Sequence, residues 1–469
     1  MNDPVRPDSP LGTLRDLLRR LLLPLRGGGR RPASEPDRKP TPEEVDAERL
    51  RVQVQVIRRA FEEIGGVAVA GVKGSQRPTD DSEVDYLYRP KHALVREADL
   101  DRLTRFFAER GQSFRGGVDR VGQPAQGLAL VALPSRSDGQ DDVLATLEEI
   151  DRELGAGMVT PDHVVYVTPK GFMCPATEPE VPKRKTPFPG ASEAAGTSAG
   201  DGVRVAVVDT GLWTPAVSSA TTPWMSGVLA DPEDVETINP SSIHPYGGHG
   251  TFVAGVVRCL APATRVEVEG VLTRGGAVYE SEICRQLDQA LSESDHPQLI
   301  SISAGTHTRR DFAMLSFEML AATYGLDDGE ETLIVAAAGN DGSDRPFWPA
   351  AFPWVVSVGS VDPDGTVSDF SNHGSWVDVY ARGRDIVNAF PEGSYTCYEP
   401  PNVGEVRSFT GLAQWSGTSF ATPVVTGLIA ARMSAADETA GQAWASVLGS
   451  GTSSTPTSGG PITIVGPLS

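Results

Sequence analysis

The second half of the chain alternates short apolar runs with helical stretches, and this alternation limits the fold more than any other feature. Runs rich in Val, Ile and Leu, such as VRVAVVD, LISIS, LIVAAAG and VVSVGSV, are separated by segments with helical spacing, such as ESEICRQLDQALSES. Continuous apolar strands are typical of a parallel sheet that helices cover on both faces. The pattern therefore predicts an α/β domain over residues 201–436.

Two stretches of low apolar content divide the rest of the chain. Residues 1–42 are basic and rich in Pro and Gly, and residues 171–200 are rich in Pro, Gly, Ala and Ser without usable periodicity. Between them, residues 43–170 predict an opening helix and then the order β-α-β-β-α-β, a small α+β domain with two helices on one face of a sheet. Residues 437–469 predict a low-complexity tail.

The N-terminal segment LGTLRDLLRRLLLPLRGGGRR places leucines and arginines at the spacing of a short basic amphipathic helix. It predicts either a docking helix for a membrane surface or partner, or a tail without stable structure. As a secretory signal it is poor, because its apolar core LLLPL is short and no small-residue cleavage site follows. No run of about eighteen apolar residues occurs. We therefore expect a cytoplasmic protein, with export still open.

Charge and cysteine content exclude several classes of partner. The 62 acidic and 41 basic residues give a net charge of −21, which works against binding a nucleic-acid backbone. The four cysteines are far apart and form no C-x-x-C pair, so neither a zinc site nor a disulfide framework is indicated. No dense acidic loop suggests a bound cation. We therefore assign no cofactor and no metal, and expect a monomer.

Three polar residues stand at positions where catalytic groups collect. Asp209 ends the run VRVAVVD, His249 lies in GGHGTFVAG, and Ser419 precedes the apolar run in GTSFATPVV. Each has an ordinary explanation alone, as a turn former, a structural histidine or a helix cap. Together they supply a nucleophile, a base for its proton and a carboxylate to orient that base, at the carboxyl ends of strands or at helix starts. The set predicts nucleophilic catalysis.

A fourth residue and two competing enzyme classes bear on this prediction. Asn340 follows LIVAAAG and precedes a Gly-rich turn, where its amide could donate to an oxyanion or simply favour a left-handed turn. The D-T-G sequence at 209–211 is also found in aspartic proteases, but those need a second carboxylate of the same kind. The lipase and esterase elbow G-x-S-x-G is not present around Ser419.

The segments VAVVDTG, GGHGTFVAG, VAAAGN and SGTSFATP resemble the four signature segments of the subtilases, the subtilisin-like serine endopeptidases. They occur in that family's order, Asp, His, Asn, Ser. The resemblance implies a subtilisin-like parallel sheet, with Ser419 as nucleophile, His249 as general base and Asp209 orienting it. It also implies an oxyanion hole formed by Asn340 and the backbone N–H of Ser419. Pro423 suits the helix that follows if it falls in the first turn.

The same resemblance implies how a peptide or protein substrate binds. An extended substrate would pair with SISAG at 301–305 and AAAG at 336–339. These two segments contribute the candidate binding residues Ser303, Ala304, Gly305, Ala337, Ala338 and Gly339. Calcium sites are common among subtilases, and no residue here is assigned to one.

Two questions stay open at this stage. The ferredoxin-like, propeptide-like order predicted for 43–170 is similar in shape to the inhibitory propeptides of many subtilases, and a zymogen would then be cut within 171–200. A retained accessory or targeting domain fits the same residues. The chain as a whole is either an active serine endopeptidase that works through an acyl-enzyme, or a catalytically silent subtilase-like module for binding or regulation.

Overall fold

The computed structural model describes residues 41–71, 78, 80–137, 139, 143–167, 177–190, 198–455 and 460–468. The amphipathic helix predicted near the N-terminus lies outside the described residues. The α-helices among them are α1 Pro42–Phe61, α2 Leu100–Ala108, α3 Val143–Leu154, α4 Pro215–Ser218, α5 His249–Leu260, α6 Glu280–Ser292, α7 Leu315–Tyr324, α8 Thr418–Ala436 and α9 Ala440–Gly449.

The strands fall into one large sheet, a second sheet nearer the N-terminus, and three two-stranded pairs. In the first half of the chain they are β1 Ala68–Gly71, β2 Val84–Arg96, β3 Phe114–Arg115, β4 Asp119–Ala125, β5 Leu128–Ala132, β6 Ser135–Arg136, β7 Val159–Tyr166 and β8 Arg204–Asp209. The later strands are β9 Arg265–Gly270, β10 Ala277–Tyr279, β11 Leu299–Ile302, β12 Leu333–Ala337, β13 Val356–Val361, β14 Val379–Arg382, β15 Ile386–Ala389, β16 Gly393–Thr396, β17 Val406–Phe409, β18 Leu412–Trp415, β19 Thr452–Ser454 and β20 Ile462–Ile464.

The large sheet has eight strands in the order β19-β20-β14-β13-β12-β11-β8-β9. Every pair is parallel except β19 with β20 at one edge. Alternate residues of β8 belong to different cores: Val205 and Val207 pack with α5 and α8, while Ala206 and Val208 pack with α6 and α7. Helices therefore cover both faces, and the α/β prediction is confirmed.

The end of the chain differs from the predicted low-complexity tail. Residues 440–449 form α9, whose Thr439 side chain accepts a hydrogen bond from Gln442 N–H in a capping box. Strand β20 then pairs with β14 and carries buried Ile464, and β19 folds back against it. Short alternation such as ITI is a weak signal in a Gly- and Ser-rich background, and the pairing partner that stabilises it is about eighty residues away.

The second sheet has the path β10-β7-β2-β5-β4, with β1 on β2, and all of its pairs are antiparallel. Helices α2 and α3 supply the apolar side chains that cover it, among them Leu103, Phe107 and Leu147. The strands of residues 84–166 follow one another as β2-α2-β4-β5-α3-β7, apart from the two-residue strands β3 and β6. The first strand of the path, β10, comes from the second half of the chain.

Strand β7 therefore joins the two sheets through backbone hydrogen bonds. It pairs antiparallel with β10. At its end, Tyr166 and Gly305 each donate their N–H to the other's carbonyl, at 3.1 and 3.0 Å, and Val167 donates to the carbonyl of Gly276 at 2.9 Å. An extended segment that precedes the large sheet in sequence thus lies along the loop that follows β11.

Buried polar side chains accompany this contact. Asp162 accepts hydrogen bonds from the N–H and hydroxyl of Ser281 in the first turn of α6, at 2.9 and 2.7 Å. The neighbouring His163 lies 2.7 Å from the carboxylate of Glu280. Because a helix N-terminus stabilises negative charge and leaves backbone N–H groups without helical partners, Asp162 acts as a cap supplied from another part of the chain.

Within the predicted linker 171–200, the described residues 177–190 form β-bridges with the second half of the chain. Glu180 exchanges backbone hydrogen bonds with Gln414 of β18, and Phe188 pairs with Val387 of β15. Phe188 is buried in the core on the α5 and α8 side of the large sheet. The Pro and Gly content of this segment predicts a linker, but Pro and Gly are also found on edge strands, and the partners of this segment come from distant parts of the sequence.

Asp162 gives the protein a pH-dependent stability. Burial raises the pKa of this carboxyl to about 7, so the folded state holds a proton that the unfolded state releases above about pH 4. Its contribution to the free energy of unfolding is therefore greatest at acid pH and is lost as the pH rises to 7. We expect Asp162→Asn, which keeps an acceptor for Ser281, to lose less stability than the wild type between pH 4 and pH 7.

Urea unfolding midpoints measured across this pH range test the expectation. Asp295→Asn, which changes a carboxylate whose side chain is 59% exposed, is the matched control and should follow the wild type. Identical pH profiles for Asp162→Asn and the wild type would contradict the assignment.

Candidate active site

Asp209 and His249 are in direct contact. Asp209 is the last residue of β8 and His249 is the first residue of α5, and the carboxylate oxygen Oδ1 lies 2.7 Å from Nδ1 of the imidazole. Oδ1 also accepts the N–H of Thr210 at 2.7 Å. The other ring nitrogen of His249, Nε2, is buried and has no hydrogen-bond partner among the described residues. The pair therefore holds one nitrogen and leaves the other available for a proton.

Glycine at position 250 permits this close approach. A Cβ atom on Gly250 would lie 2.6 Å from the carbonyl oxygen of Gly211 and 3.2 Å from Cβ of Asp209. Its N–H instead donates to the hydroxyl of Thr210 at 3.1 Å. The sequence GHG thus lets the start of α5 pack directly on the loop that follows β8.

Ser419 lies at the start of α8 and contacts Ser303 in both directions. The hydroxyl of Ser419 donates to the carbonyl of Ser303 at 3.3 Å, and the hydroxyl of Ser303 donates to the carbonyl of Ser419 at 2.8 Å. Pro423 is the sixth residue of α8, beyond the first turn that the sequence analysis required. Because Pro423 has no N–H, the carbonyl of Ser419 loses its helical partner, and the Ser303 hydroxyl replaces it.

Asn340 follows β12 and is held by the residue before Ser419. Its side-chain oxygen accepts hydrogen bonds from the N–H and the hydroxyl of Thr418, at 2.8 and 2.9 Å. A backbone N–H can only donate, so these contacts determine which end of the amide faces Thr418. The Nδ2 group is left as a donor on the opposite side of the amide.

The four residues are brought together in one region and are covered. Asp209, His249, Ser419 and Asn340 are each at most 1% exposed. The imidazole of His249 packs edge-on against Trp415, with ring centroids 5.5 Å apart, and lies 5.2 Å from the ring of Phe420. None of the four side chains therefore lies at the surface of the described structure.

The two segments expected to pair with a substrate differ from each other. Ser303, Ala304 and Gly305 follow β11, and Gly305 has both backbone groups bonded to Tyr166. Ala337 instead belongs to β12, a central strand between β11 and β13. Ala337 therefore presents no free strand edge, and binding of a substrate at 336–339 stays a prediction.

The backbone groups at 338–339 are likewise committed within the fold. The N–H and carbonyl of Ala338 bond to Val358 and to the side-chain amide of Asn372. Those of Gly339 bond to the hydroxyl of Thr418 and to the N–H of Asn372.

Sequence reasoning missed Glu236, a buried carboxyl group beside this region. Its Oε2 accepts the N–H of Gly248, the residue before His249, at 2.8 Å. Burial first, and then the charge of Asp209, raise its pKa well above the usual value. No motif marks it, because the contact joins a loop residue to a helix start twelve residues later.

The described residues contain neither a metal-binding cluster nor a membrane-spanning helix. No group of three or more His, Cys, Asp and Glu side chains is placed to hold a metal ion. No helix combines the length and apolar content needed to cross a membrane.

Comparison with known proteins identifies the family to which residues 200–450 belong. The model of the subtilase family matches residues 200–450, more than half of the chain. A thermophilic serine proteinase from Bacillus sp. (strain AK1) is 31% identical over 244 residues, covering 50% of this chain and 53% of that protein. An intracellular serine protease from Paenibacillus polymyxa is 29% identical over 248 residues, covering 49% of this chain and 66% of that protein. The chain thus matches between about half and two thirds of the length of these curated relatives.

Among solved structures, the patellamide maturation protease PatA aligns with a TM-score of 0.42 at 26% identity. The alignment covers 55% of this chain and 89% of that chain.

Replacing Gly250 should separate the two buried partners. In Gly250→Ala the new methyl group must displace the loop after Asp209, so we expect the hydrogen bond between Asp209 and His249 to lengthen or break. The far-downfield proton NMR resonance of the His249 Nδ1–H, identified by its loss in His249→Ala, measures this bond. It should vanish or move upfield in Gly250→Ala. It should persist in Gly449→Ala, where a Cβ meets nothing within 4 Å. An unchanged resonance in Gly250→Ala would contradict the packing argument.

Proposed function

This chain belongs to the subtilase family, and from that premise we propose that it is a serine endopeptidase with Asp209, His249 and Ser419 as its catalytic triad. The observation that carries the proposal is the buried contact of 2.7 Å between Asp209 and His249, with Nε2 of the imidazole left without a partner. Peptide or protein chains are the proposed substrates.

Catalysis begins with transfer of the Ser419 proton. His249 Nε2 accepts it while Oγ forms a bond to the scissile carbonyl carbon, and Asp209 holds the imidazole in the tautomer that can accept. His249 then gives the proton to the leaving amine as the C–N bond breaks. Water, deprotonated by the same imidazole, attacks the acyl-enzyme and releases Ser419 with its proton restored. The resting hydroxyl, bonded to Ser303, has to rotate toward His249, as is common before substrate binds.

Asn340 and the N–H of Ser419 stabilise the oxyanion. Thr418 occupies the oxygen of the Asn340 amide and so leaves Nδ2 to donate, while the N-terminus of α8 adds a favourable dipole. Loss of one such donor lowers kcat by roughly 10² to 10³, a figure measured on subtilisin, a member of this family.

We also propose that residues 43–170 act as an intramolecular inhibitor with a ferredoxin-like fold. The antiparallel strand order β7-β2-β5-β4 with two covering helices is the order expected of that fold. The end of β7 lies along Gly305 and Gly276 as an extended substrate would, and the triad is almost wholly buried. An autoprocessing cut then falls between Val167, the last residue that the structure describes on one side, and Thr177, the first on the other.

Thr177, on the other side of the proposed cut, is also hydrogen-bonded to the second half of the chain. Trp415, four residues before Ser419, donates its indole N–H to the carbonyl of Thr177 at 2.5 Å, and Ser416 N–H donates to the Thr177 hydroxyl at 3.2 Å. The chain is thus bound on both sides of the serine. A retained accessory domain is the alternative, and a catalytically silent module is the alternative for the whole chain. The resting bond of Ser419 to Ser303, rather than to His249, is the observation that favours the silent module.

Ser419 should react with a fluorophosphonate probe once the inhibitory contact is released. A protease site inserted between residues 167 and 177 lets the chain be cut at will without altering any residue named above, and the part that ends in β7 is then separated from the rest by size exclusion before the probe is added. We expect the cut wild type to be labelled and the cut Ser419→Ala variant not to be. Ser303→Ala, which keeps the nucleophile, is the control for labelling at a neighbouring serine. No labelling of the cut wild type would exclude the enzyme and leave the silent module.

Loosening β7 should speed that reaction in the uncut chain. Tyr166→Pro removes the N–H that Gly305 accepts, so we expect its second-order rate of labelling to rise at least tenfold, in line with the loss of one or more backbone hydrogen bonds. Tyr166→Phe keeps both backbone bonds and should label at the wild-type rate. Mass spectrometry of the same samples should find a cut between 167 and 177 that Ser419→Ala lacks. Equal labelling rates for Tyr166→Pro and Tyr166→Phe would favour the accessory domain.

A further inference from the structure

A cavity of about 270 Å³ lies beside the Asp209–His249 pair. Thr210, the residue after Asp209, forms part of its wall, and Gly276 forms another part. Gly276 is also the residue whose carbonyl accepts the N–H of Val167. The cavity therefore adjoins the path that the chain's own extended segment takes toward the triad.

The wall of this cavity carries acidic groups without a basic partner. Glu233, Asp234 and Glu236 line it together with His244, and no lysine or arginine does so among the described residues. Burial lowers the pKa of His244, so its imidazole is neutral at pH 8. The lining is thus built for a positive charge that the fold itself does not supply.

Glu236 is the buried acidic group in this wall that has an oxygen atom without a hydrogen-bond partner among the described residues. Its side chain is only 6% exposed, and while Oε2 accepts the N–H of Gly248, Oε1 has no hydrogen-bond partner among the described residues. The nearest base, Nε2 of His244, is 3.6 Å away from Oε1, beyond hydrogen-bond distance. Buried carboxyl oxygens are normally satisfied. Burial raises the pKa of Glu236 and favours its protonated form while no cation is bound, whereas an ammonium or guanidinium group beside it would stabilise the carboxylate and give Oε1 a partner.

A metal ion fits the cavity less well than an organic cation. The described residues contain no cluster of three or more ligand side chains with metal-binding placement. Asp234 is also occupied, since its Oδ1 accepts the N–H of Gly270 at 2.8 Å. A long side chain with its charge at the tip requires fewer converging oxygens than a metal ion does.

The register of β7 identifies the substrate position that faces the cavity. Tyr166 and Gly305 are paired antiparallel. In a substrate peptide bound in the same register, the residue two positions after the one that takes the place of Tyr166 therefore lies opposite Ser303. The carbonyl of Ser303 is 3.3 Å from the Ser419 hydroxyl. A substrate residue in the place of Val167 therefore immediately precedes the residue under attack. The Val167 side chain lies over Gly276, where a Cβ would come within 2.6 Å of its Cγ2.

We propose that this cavity is a specificity pocket for the lysine or arginine side chain of the substrate residue that immediately precedes the one attacked by Ser419, with Glu236 recognising the charge. The assignment rests on the proposed peptidase function. Valine ends above Gly276, whereas the longer stem of lysine or arginine extends past it into the cavity. A neutral side chain of equal length would bury the unpaired carboxyl without satisfying it.

The pocket can be tested without any peptide cleavage, because Val167 of the chain itself takes the place of the substrate residue that the pocket would bind. In a Ser419→Ala background, which prevents autoprocessing, Val167→Arg is compared with Val167→Met, each with Glu236 intact and with Glu236→Gln. At pH 8 we expect Val167→Arg to have a Tm about 2 °C or more above Val167→Met when Glu236 is present. The difference should vanish or change sign with Glu236→Gln. Circular dichroism spectra establish that all four variants are folded.

Two results would overturn the pocket. One is a Val167→Arg variant that is destabilised equally with Glu236 and with Glu236→Gln. The other is a variant that does not fold in either background, while Val167→Lys gives no Tm gain that depends on Glu236. The matched control Glu293→Gln removes an acidic group that does not line this cavity, and it should leave the gain of Val167→Arg intact.

Cleavage specificity gives a second measurement. The linker-cut wild type is incubated with a peptide library, and the cut sites are read by mass spectrometry. We expect Lys and Arg to be enriched at the second residue before each cut, and their kcat/KM advantage over Met to fall roughly tenfold in Glu236→Gln. Cleavage without that enrichment contradicts the pocket alone. Absence of both cleavage and probe labelling contradicts the proposed function, and the Tm comparison then still decides whether the cavity takes a cation.

Discussion

The parallel pairing of β8 with β11 is the interaction on which the site depends. In that register Val208 lies beside Ile302, so Asp209 and Ser303 leave the same edge of the sheet. Asp209 then meets His249 at the start of α5, while Ser303 meets Ser419 near the start of α8. One pair of strands thus positions both ends of the candidate triad, and a shift of register would separate them.

Ser303 both supports the helix α8 and contacts the side chain of Ser419. Pro423 removes a helical hydrogen bond from the carbonyl of Ser419, and the Ser303 hydroxyl supplies the replacement. The first turn of α8 therefore stays helical, and with it the dipole and the N–H that the proposed oxyanion hole uses. The same residue's carbonyl accepts a hydrogen bond from the hydroxyl of Ser419, the proposed nucleophile.

The sequence predicted the parts of this arrangement that local patterns encode. The apolar runs predicted the covered parallel sheet. Polar residues at the ends of those runs pointed to Asp209 and Asn340, and polar residues before apolar helical runs pointed to His249 and Ser419. Local patterns do not encode which distant groups meet, so the cap of Asp162 on α6 and the partnership of Ser303 with Ser419 were not foreseen. The pairing of β20 with β14 was missed for the same reason: a short Ile-Thr-Ile run has little preference until a neighbouring strand supplies its hydrogen bonds.

The contact between the N-terminal region and the rest of the chain is linked to protons. Burial raises the pKa of Asp162 to about 7, of Glu399 to about 8 and of Asp46 to about 6, and all three lie where α1 or β7 meets the second half of the chain. Separation would return each carboxyl to water, where it ionises at neutral pH and releases its proton. The free energy of separation therefore becomes more favourable as the pH rises through this range. The backbone bonds of Tyr166 and Val167 carry no such dependence. The extended segment thus determines where the region binds, and the buried carboxyls make the strength of that binding depend on pH.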